Sequence, residues 1–390
     1  MDRYRETALA GSQKWPMVKL GDVLVIERGA SPRPIQDFIT NDPNGINWIK
    51  IGDTSRGPKY IYSTEEKITP EGAEKSRRVK EGDFLLSNSM SFGRPYILKT
   101  SGCIHDGWLL LRPKNGEICQ DFLYYILGSQ GVLSQFETSA TGGVVRNLNS
   151  ALVRNVSIPL PPLAVQEALV AELERYRKMI EGARAIIQNY KPEIEIDPKW
   201  EMRELGEVCD FKSGGTPSKA NSSYWSGDIP WISPKDMKSY EIGDSEDHIS
   251  EESLRSSAAR LVPAATILCV TRSGILVHSF PVGITTRDVS FNQDIVALIP
   301  DKSVLLSRYL FYLLKTLESK VLTEGVKKGG TVQSLHSGFL QRLKIPIPPL
   351  PEQQAVVARL EAERAEIEML KGLIARTEEK IKSRVAALWQ

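Results

Sequence analysis

The sequence predicts an α+β molecule in which two pseudo-symmetric mixed α/β domains are joined by two long helices forming an antiparallel coiled coil. Three observations carry this. The 390-residue chain repeats itself once, at an offset of 183 to 187 residues. Each copy opens with Gly, Pro, Trp and short β-branched runs, as strands between turns do. Each copy closes with a long stretch whose apolar residues recur at alternating steps of three and four.

The repeat is read first, because a missed repeat misassigns the whole fold. Lys14-Trp15-Pro16-Met17 returns as Lys199-Trp200-Glu201-Met202, and Leu20-Gly21 as Leu205-Gly206. Trp48-Ile49 and Asp53 return as Trp231-Ile232 and Asp236, and Phe122-Leu123-Tyr124-Tyr125 as Tyr309-Leu310-Phe311-Tyr312. Ile158-Pro159-Leu160-Pro161-Pro162-Leu163 returns as Ile345-Pro346-Ile347-Pro348-Pro349-Leu350. Between these ends the middles, about 55–120 and 238–306, hardly match. The period is far beyond that of solenoid repeats, roughly 20–50 residues, so a whole domain is duplicated. Divergent middles on a shared frame point to one task performed on two targets; drift after duplication would blur them too.

The expected organisation is domain one at 1–162, a helix with its linker at 163–198, domain two at 199–349 and a second helix at 350–390. Phe84-Leu85-Leu86, Trp108–Leu111, Thr266-Ile267-Leu268 and Ile295–Leu298 read as strands. One amphipathic helix is expected near the end of each domain, about 121–136 and 307–322. The double prolines Pro161-Pro162 and Pro348-Pro349 then open the long helices. In the first, Val165, Leu169, Leu173, Tyr176, Ile180, Ala183, Ile187 and Tyr190 form a heptad seam. In the second the seam is Val356, Leu360, Ile367, Leu370, Ile374, Ile381, Val385 and Leu388, with Glu363 and Thr377 filling two polar slots. The residues expected to pair the helices are Leu169, Leu173, Tyr176, Ile180, Leu360, Ile367, Leu370 and Ile374. A helix lying on its own domain would also carry an apolar stripe; seams on both helices favour pairing. Chain order then makes the pair antiparallel, with one domain at each end. At 1.5 Å per residue, ~28 residues give a rod of roughly 40 Å, close to one turn of B-DNA at about 34–36 Å.

Composition narrows the function. Lys and Arg number 50 against 48 Asp and Glu, which excludes a basic coat protein or an acidic disordered chain. No apolar run approaches the ~18–20 residues of a membrane span, so no membrane partner is expected. The N-terminal stretch lacks an apolar signal core. Cys103, Cys119, Cys209 and Cys269 are scattered without a CxxC pair, which suits reduced thiols in the cytoplasm. The search for catalytic motifs is negative. There is no P-loop, no GxSxG, no Asp/Asn-Pro-Pro-aromatic tetrapeptide, and no ligand spacing among His105, His248, His278 and His336. Glu65-Glu66-Lys67 and Glu378-Glu379-Lys380 match a nuclease-like ExK that arises readily by chance. Gly214-Gly215-Thr216-Pro217 lacks the lysine of a phosphate cradle. The small basic excess sits in the domains, with 18 basic against 15 acidic residues in 14–162 and 18 against 17 in 199–349. Lys327-Lys328 beside Gly329-Gly330, like Thr141-Gly142-Gly143 with Arg146, can bring ammonium or backbone N–H groups to a phosphate.

Taken together, these residues resemble the specificity subunit of type I restriction-modification systems. The resemblance covers nearly the whole chain. It rests on Gly214-Gly215-Thr216-Pro217-Ser218, Tyr224-Trp225 with Gly227–Ile232, Phe291–Asp294, and Ile345–Gln354 opening the second helix. Looser versions in the first copy are Gly29–Ile35, Trp48–Asp53 and Pro161-Pro162-Leu163 with Gln166-Glu167; His105-Asp106-Gly107 departs from the pattern. The resemblance implies two target-recognition domains, each reading one half of a split double-stranded DNA site, with the helices setting the gap. It implies no catalytic centre in this chain. Two modification subunits would bring S-adenosylmethionine and flip out the adenine, and restriction subunits would bring ATP and Mg. Base readout would come from Arg, Lys, Asn and Gln. The candidates are Arg33, Lys50, Arg77, Arg78, Arg94 and Arg146 in the first domain, and Lys219, Lys235, Arg272, Lys327, Lys328 and Gln333 in the second. Trp48 and Trp231 are expected in the core. The other readings are a DNA-free scaffold joining two protein-binding domains and a methyltransferase of unfamiliar motif.

Overall fold

The computed structural model describes residues 14–56, 59–88, 93–139, 148–327 and 332–390. It forms two compact units. Unit 1 takes its described residues from Met1–Ala185 and Lys371–Gln390, and unit 2 is Ile186–Leu370. The division falls within both long helices.

Unit 1 contains β1 (Met17–Lys19), β2 (Leu24–Arg28), β3 (Ile39–Thr40), β4 (Ile46–Ile49), β5 (Tyr60–Ile61), β6 (Glu66–Ile68), β7 (Arg77–Val79), β8 (Phe84–Ser87), β9 (Pro95–Leu98), β10 (Gly102–Ile104), β11 (Trp108–Pro113) and β12 (Ser157–Pro159). They make one sheet of order β2-β11-β8-β9-β5, a second of order β3-β6-β4-β10-β7, and the pair β1-β12. The first sheet is covered on both faces. Leu109, Leu111, Phe84 and Leu86 join the helical core with Phe122, Leu123, Ile126, Leu169 and Leu173. The alternate residues Trp108, Leu110 and Leu85 face Ile49, Val79 and Ile104 of the second sheet. Burial on both faces is why these strands read as unbroken apolar runs rather than alternating ones.

Unit 2 contains β13 (Glu201–Glu204), β14 (Cys209–Ser213), β15 (Ile229–Ile232), β16 (Glu241–Ile242), β17 (His248–Ile249), β18 (Leu261–Val262), β19 (Ile267–Val270), β20 (Val282–Thr285), β21 (Val289–Phe291), β22 (Ile295–Pro300) and β23 (Lys344–Ile347). Its sheets are β14-β22-β19-β20-β16, β17-β15-β21-β18 and β13-β23. Strand for strand this is the order of unit 1, with β3 as the one addition in unit 1. The middles that share almost no sequence therefore share their topology.

The helices expected at the ends of the two domains are interrupted. In unit 1 the segment is α1 (Gln120–Leu127) and α2 (Gln130–Ser139), broken at Gly128-Ser129. In unit 2 α3 covers Ser307–Thr316 and is followed by a short turn and a π-helical stretch at Val321–Gly325. The apolar period runs through the break because both pieces face the same core, so periodicity alone does not reveal it. The long helices are Leu163–Asn189 and Leu350–Ala386. Within unit 1 they are antiparallel partners. Leu169 and Leu173 share a core with Val385 and Leu388, flanked by Tyr176, Ile381 and Trp389. Arg384 clasps both oxygens of Glu172, and Arg184 reaches Glu378 at 2.6 Å. Ile180 is buried, and Ile374 is half-buried. Within unit 2, Leu360 and Ile367 are buried, Leu370 is half-buried, and Tyr190 meets Glu363. Among the described residues no helix is long and apolar enough to cross a membrane.

Candidate nucleic-acid interface

In unit 1 a glycine-led loop, Gly29–Pro34, leaves β2 and lies against the connection from β10 to β11. Gly29 is there because nothing larger fits: a Cβ would sit 2.0 Å from the His105 carbonyl oxygen. Its N–H bonds the Trp108 carbonyl at 2.9 Å. The loop then presents Ser31, whose hydroxyl donates to Asp106 Oδ1 at 2.8 Å, and Arg33, which pairs with Asp106 Oδ2 at 3.2 Å. Unit 2 repeats the device. A Cβ on Gly214 would sit 2.2 Å from the Asn292 carbonyl oxygen, and the Thr216 hydroxyl donates to Gln293 Oε1. The glycines thus serve close backbone approach rather than phosphate binding. In each unit a hydroxyl holds one polar side chain at the same place: a carboxylate, Asp106, in one and an amide, Gln293, in the other.

Around the unit 1 loop lies an open cleft of ≈ 890 Å³ lined by Arg33, Lys50, Ile51, Trp48, His105 and Asp106, among others. Two of the expected DNA-binding residues, Arg33 and Lys50, meet here. Lys50 is ion-paired with Glu66 at 2.6 Å. Arg77 comes close, donating to the Arg28 carbonyl and pairing with Glu27 at 2.8 Å. Arg78 and Arg94 are exposed but not joined to this cleft, and Arg146 lies outside the described residues. Trp48 is buried, only 2% exposed, and forms part of the cleft wall. The Ile51 N–H lies 3.2 Å from His105 Nε2 and the Gly107 N–H 2.7 Å from its Nδ1, so each faces a ring nitrogen that accepts only when it carries no proton. Neutral imidazole has one accepting nitrogen and imidazolium has none. Burial, with a smaller push from the Lys50 charge, holds the His105 pKa below the ordinary 6.5, against the opposing pull of Asp106 and Asp53.

In unit 2 the expected residues divide between two places. Lys219 stands over Trp225, which packs edge-on against buried Trp231 at 5.0 Å. Lys235, two residues beyond the Lys50 counterpart Ser233, is held by Glu246 at 2.9 Å and Asp247 at 3.0 Å. Elsewhere two loops are stitched together. Ser273 N–H donates to the Gln333 carbonyl, Leu335 N–H to Thr271, and Arg272 bridges Ser334. This brings Arg272, Lys327 and Gln333 to one surface; Lys328 lies outside the described residues. Among the described residues unit 1 shares a stitch of this kind, from Leu148 N–H to the Asn88 carbonyl at 2.9 Å.

Sequence reasoning missed two features of these surfaces. One is the role of the Asp106/Gln293 position: the two segments are counterparts in the sequence, but only the fold shows that a hydroxyl holds this side chain in each. The other is the exposed apolar tip of the unit 2 loop. Ile275 and Val277 face out around buried Leu276, and Val332 is exposed on the stitched neighbour. Ser273-Gly274 before the run was the available signal, because it marks a turn rather than a strand. Apolar groups flanked by Arg272 and Lys327 offer contact to thymine methyl groups and phosphates together. Among the described residues no group of His, Cys, Asp and Glu is arranged to hold a metal.

The type I restriction modification DNA specificity domain matches this chain twice, at residues 12–189 and 198–379. Over 199 residues the chain is 37% identical to the specificity subunit of the type I restriction enzyme EcoR124I/EcoR124II of Escherichia coli, covering 51% of this chain and 48% of that one. Over 169 residues it is 32% identical to the MjaIX specificity subunit of Methanocaldococcus jannaschii, covering 43% and 38%. The alignments thus span about half or less of these relatives. Among solved structures, a chain from a study of complex assembly and conformational transition in the type I system superposes with a TM-score of 0.66 at 21% identity, over 97% of each chain. The HsdS subunit of Thermoanaerobacter tengcongensis gives 0.53 at 21% identity, over 96% of each. At that identity the likeness speaks for the fold.

Proposed function

The chain belongs to the family of the type I restriction modification DNA specificity domain, and from that premise we propose that it is a sequence-specific DNA-binding specificity subunit recognising a bipartite target, one half-site per unit. The observation that carries the proposal is one scaffold built twice with different chemistry at equivalent places. The strand order is the same. The hydroxyl-held side chain changes from Asp106 to Gln293. An acid accepts from cytosine N4, whereas an amide pairs with adenine, so a constant frame reads two sequences. Arg33, Lys50, Arg77 and Arg272 supply cations near these places. Arg78, Arg94, Lys219, Lys235, Lys327 and Gln333 remain candidates for phosphate or base contacts.

In this reading the chain scaffolds two modification subunits, which hold S-adenosylmethionine, and restriction subunits, which use ATP and Mg. It has no catalytic centre of its own and works in the cytoplasm, where the chromosome is. The antiparallel long helices set the spacer between half-sites. The test is methylome sequencing of a host carrying this chain with its modification subunit. One split methylated motif is expected; unsplit motifs or none would overturn the reading. Salt-dependent duplex binding by the purified complex separates it from a DNA-free scaffold.

A further inference from the structure

The junction between each globular domain and its long helix holds a cluster of charges. In unit 1, Lys59 enters β5 with only 1% of its side chain exposed. Its ammonium reaches Asp121 of α1 at 2.8 Å and Glu174 of the first long helix, beneath the rings of Tyr60, Tyr124 and Tyr125. The Tyr125 hydroxyl also donates to Glu174, at 3.0 Å. In unit 2 the equivalent strand β16 opens with Glu241, which stands in the register of Tyr60, one position beyond Lys59. Glu241 meets Arg308 of α3 at 2.9 Å and Arg364 of the second long helix at 3.6 Å. Arg308 in turn reaches Glu361 at 2.9 Å.

The helix side is the same in both units. Glu174 and Arg177 recur as Glu361 and Arg364, and each pair touches across one turn at 3.8 Å. The domain side is inverted. Strand cation and helix anion, Lys59 with Asp121, become strand anion and helix cation, Glu241 with Arg308. Burial works against the Lys59 charge, but the bonds to Asp121 and Glu174 hold its pKa above the ordinary value. The Arg308 bond holds Glu241 below its own.

We infer that the Glu-x-x-Arg on each long helix is a two-sided charge socket that seats a recognition domain of either polarity, so that the unit exchangeable between the two positions is the whole domain and not its divergent middle. The inference rests on the reading of these domains as recognition modules. Lys59 lies in the middle of unit 1 and Glu241 in that of unit 2, whereas Asp121 and Arg308 lie at or beyond the ends of those stretches. A middle moved alone carries one half of the charge pair. Placing 238–306 in the frame of unit 1 would set Glu241 against Asp121, in the place of its cation Arg308.

The test uses thermal unfolding of the full chain, which needs no DNA and so fails or succeeds apart from the DNA-binding reading. Lys59→Glu and Asp121→Arg are made singly and together. Each single variant leaves like charges facing at a buried junction, and should lower Tm by roughly 6 °C or more. The double variant puts an anion on the strand side and a cation on the helix, the polarity of unit 2 set one residue earlier along the strand, and should recover at least half of that loss. In parallel, the chimera carrying 238–306 in place of 55–120 should gain Tm when Asp121→Arg is added. Single variants without effect, or a double variant no better than the worse single one, would overturn the socket. So would a chimera that Asp121→Arg leaves unchanged while the point variants also show no coupling.

Discussion

At the scale of single residues, the buried polar groups do the orienting. Gln166 and Gln353 are equivalent, fully buried and fully bonded. Gln353 Oε1 accepts the Leu306 N–H at 2.9 Å, and its Nε2 donates to the Val304 and Pro348 carbonyls at 2.8 Å. Gln166 does the same with Cys119, Glu117 and Pro161. Each ties the first turn of a long helix to the start of the helix before it. Gln353→Leu would strand three backbone groups and cost roughly 2–4 kcal/mol, read as a Tm lower by about 5–15 °C. Gln353→Glu, which keeps the acceptor but buries a carboxylate against the Val304 and Pro348 carbonyl oxygens, should lose at least as much at neutral pH. His105 adds a pH dependence. Its folded pKa lies below the unfolded value of about 6.5, so the unfolded chain takes up the proton first. Its stabilising contribution is complete above that value and is lost as pH falls through the folded pKa. Unfolding curves between pH 8 and pH 5 should show a loss that His105→Gln reduces; an identical profile in the variant would place the effect elsewhere.

At the scale of elements, the sequence was legible where a pattern depends on local spacing. The seams, the proline starts and the apolar strands all follow from periods that a helix or a doubly covered strand imposes. The breaks at Gly128-Ser129 and after Thr316 were not legible, because two short helices on one core continue the same period. Nor were the junction charges, since Lys59 and Asp121 meet only once the sheet is folded. The pairing of the long helices leads to a prediction about spacing. A four-residue deletion is near one turn, removes about 6 Å of helix and keeps the apolar face. It belongs at Glu181–Arg184, away from Glu172 and Glu174, which hold Arg384 and Lys59. The preferred spacer between half-sites should shorten by about two base pairs, at ~3.4 Å each. Deleting two residues rotates the downstream helix and its domain by about 200° and should abolish binding. Selection from a library of targets with variable spacers decides it; an unchanged spacer after the longer deletion would mean that the helices do not set it.

At the scale of the whole molecule, the question is whether two units that share a frame read independently. Each has its own pair of sheets, its own core and its own hydroxyl-held side chain. The frame is insensitive to the identity of its residues. The middles 55–120 and 238–306 build one strand order from different apolar residues, because a sheet buried on both faces asks only for apolar bulk. The loops beyond the strands are therefore free to differ, and the sequence shows that freedom as lost similarity without showing which residues use it. Replacing residues 14–160 by the matching domain of a relative carries Lys59, Asp121, Ser31 and Asp106 together and leaves Glu174 and Arg177 in place. The junction is then met by a complete charge pair, and nothing in unit 2 is altered in sequence. The methylated motif should change in one half and keep the other half and the spacer. A narrower exchange, Asp106→Asn with Arg33→Ala, removes the carboxylate charge, turns one accepting oxygen into a donor and takes away the guanidinium partner. It should relax base preference at one or two positions of the same half, each worth about 1–3 kcal/mol of discrimination. If the domain exchange alters both halves of the motif, recognition is shared between the units and one scaffold used twice is the wrong description. If it alters one half while the narrow exchange leaves that half intact, the reading surface of unit 1 lies away from Asp106, and Arg78 and Arg94 become the next residues to change.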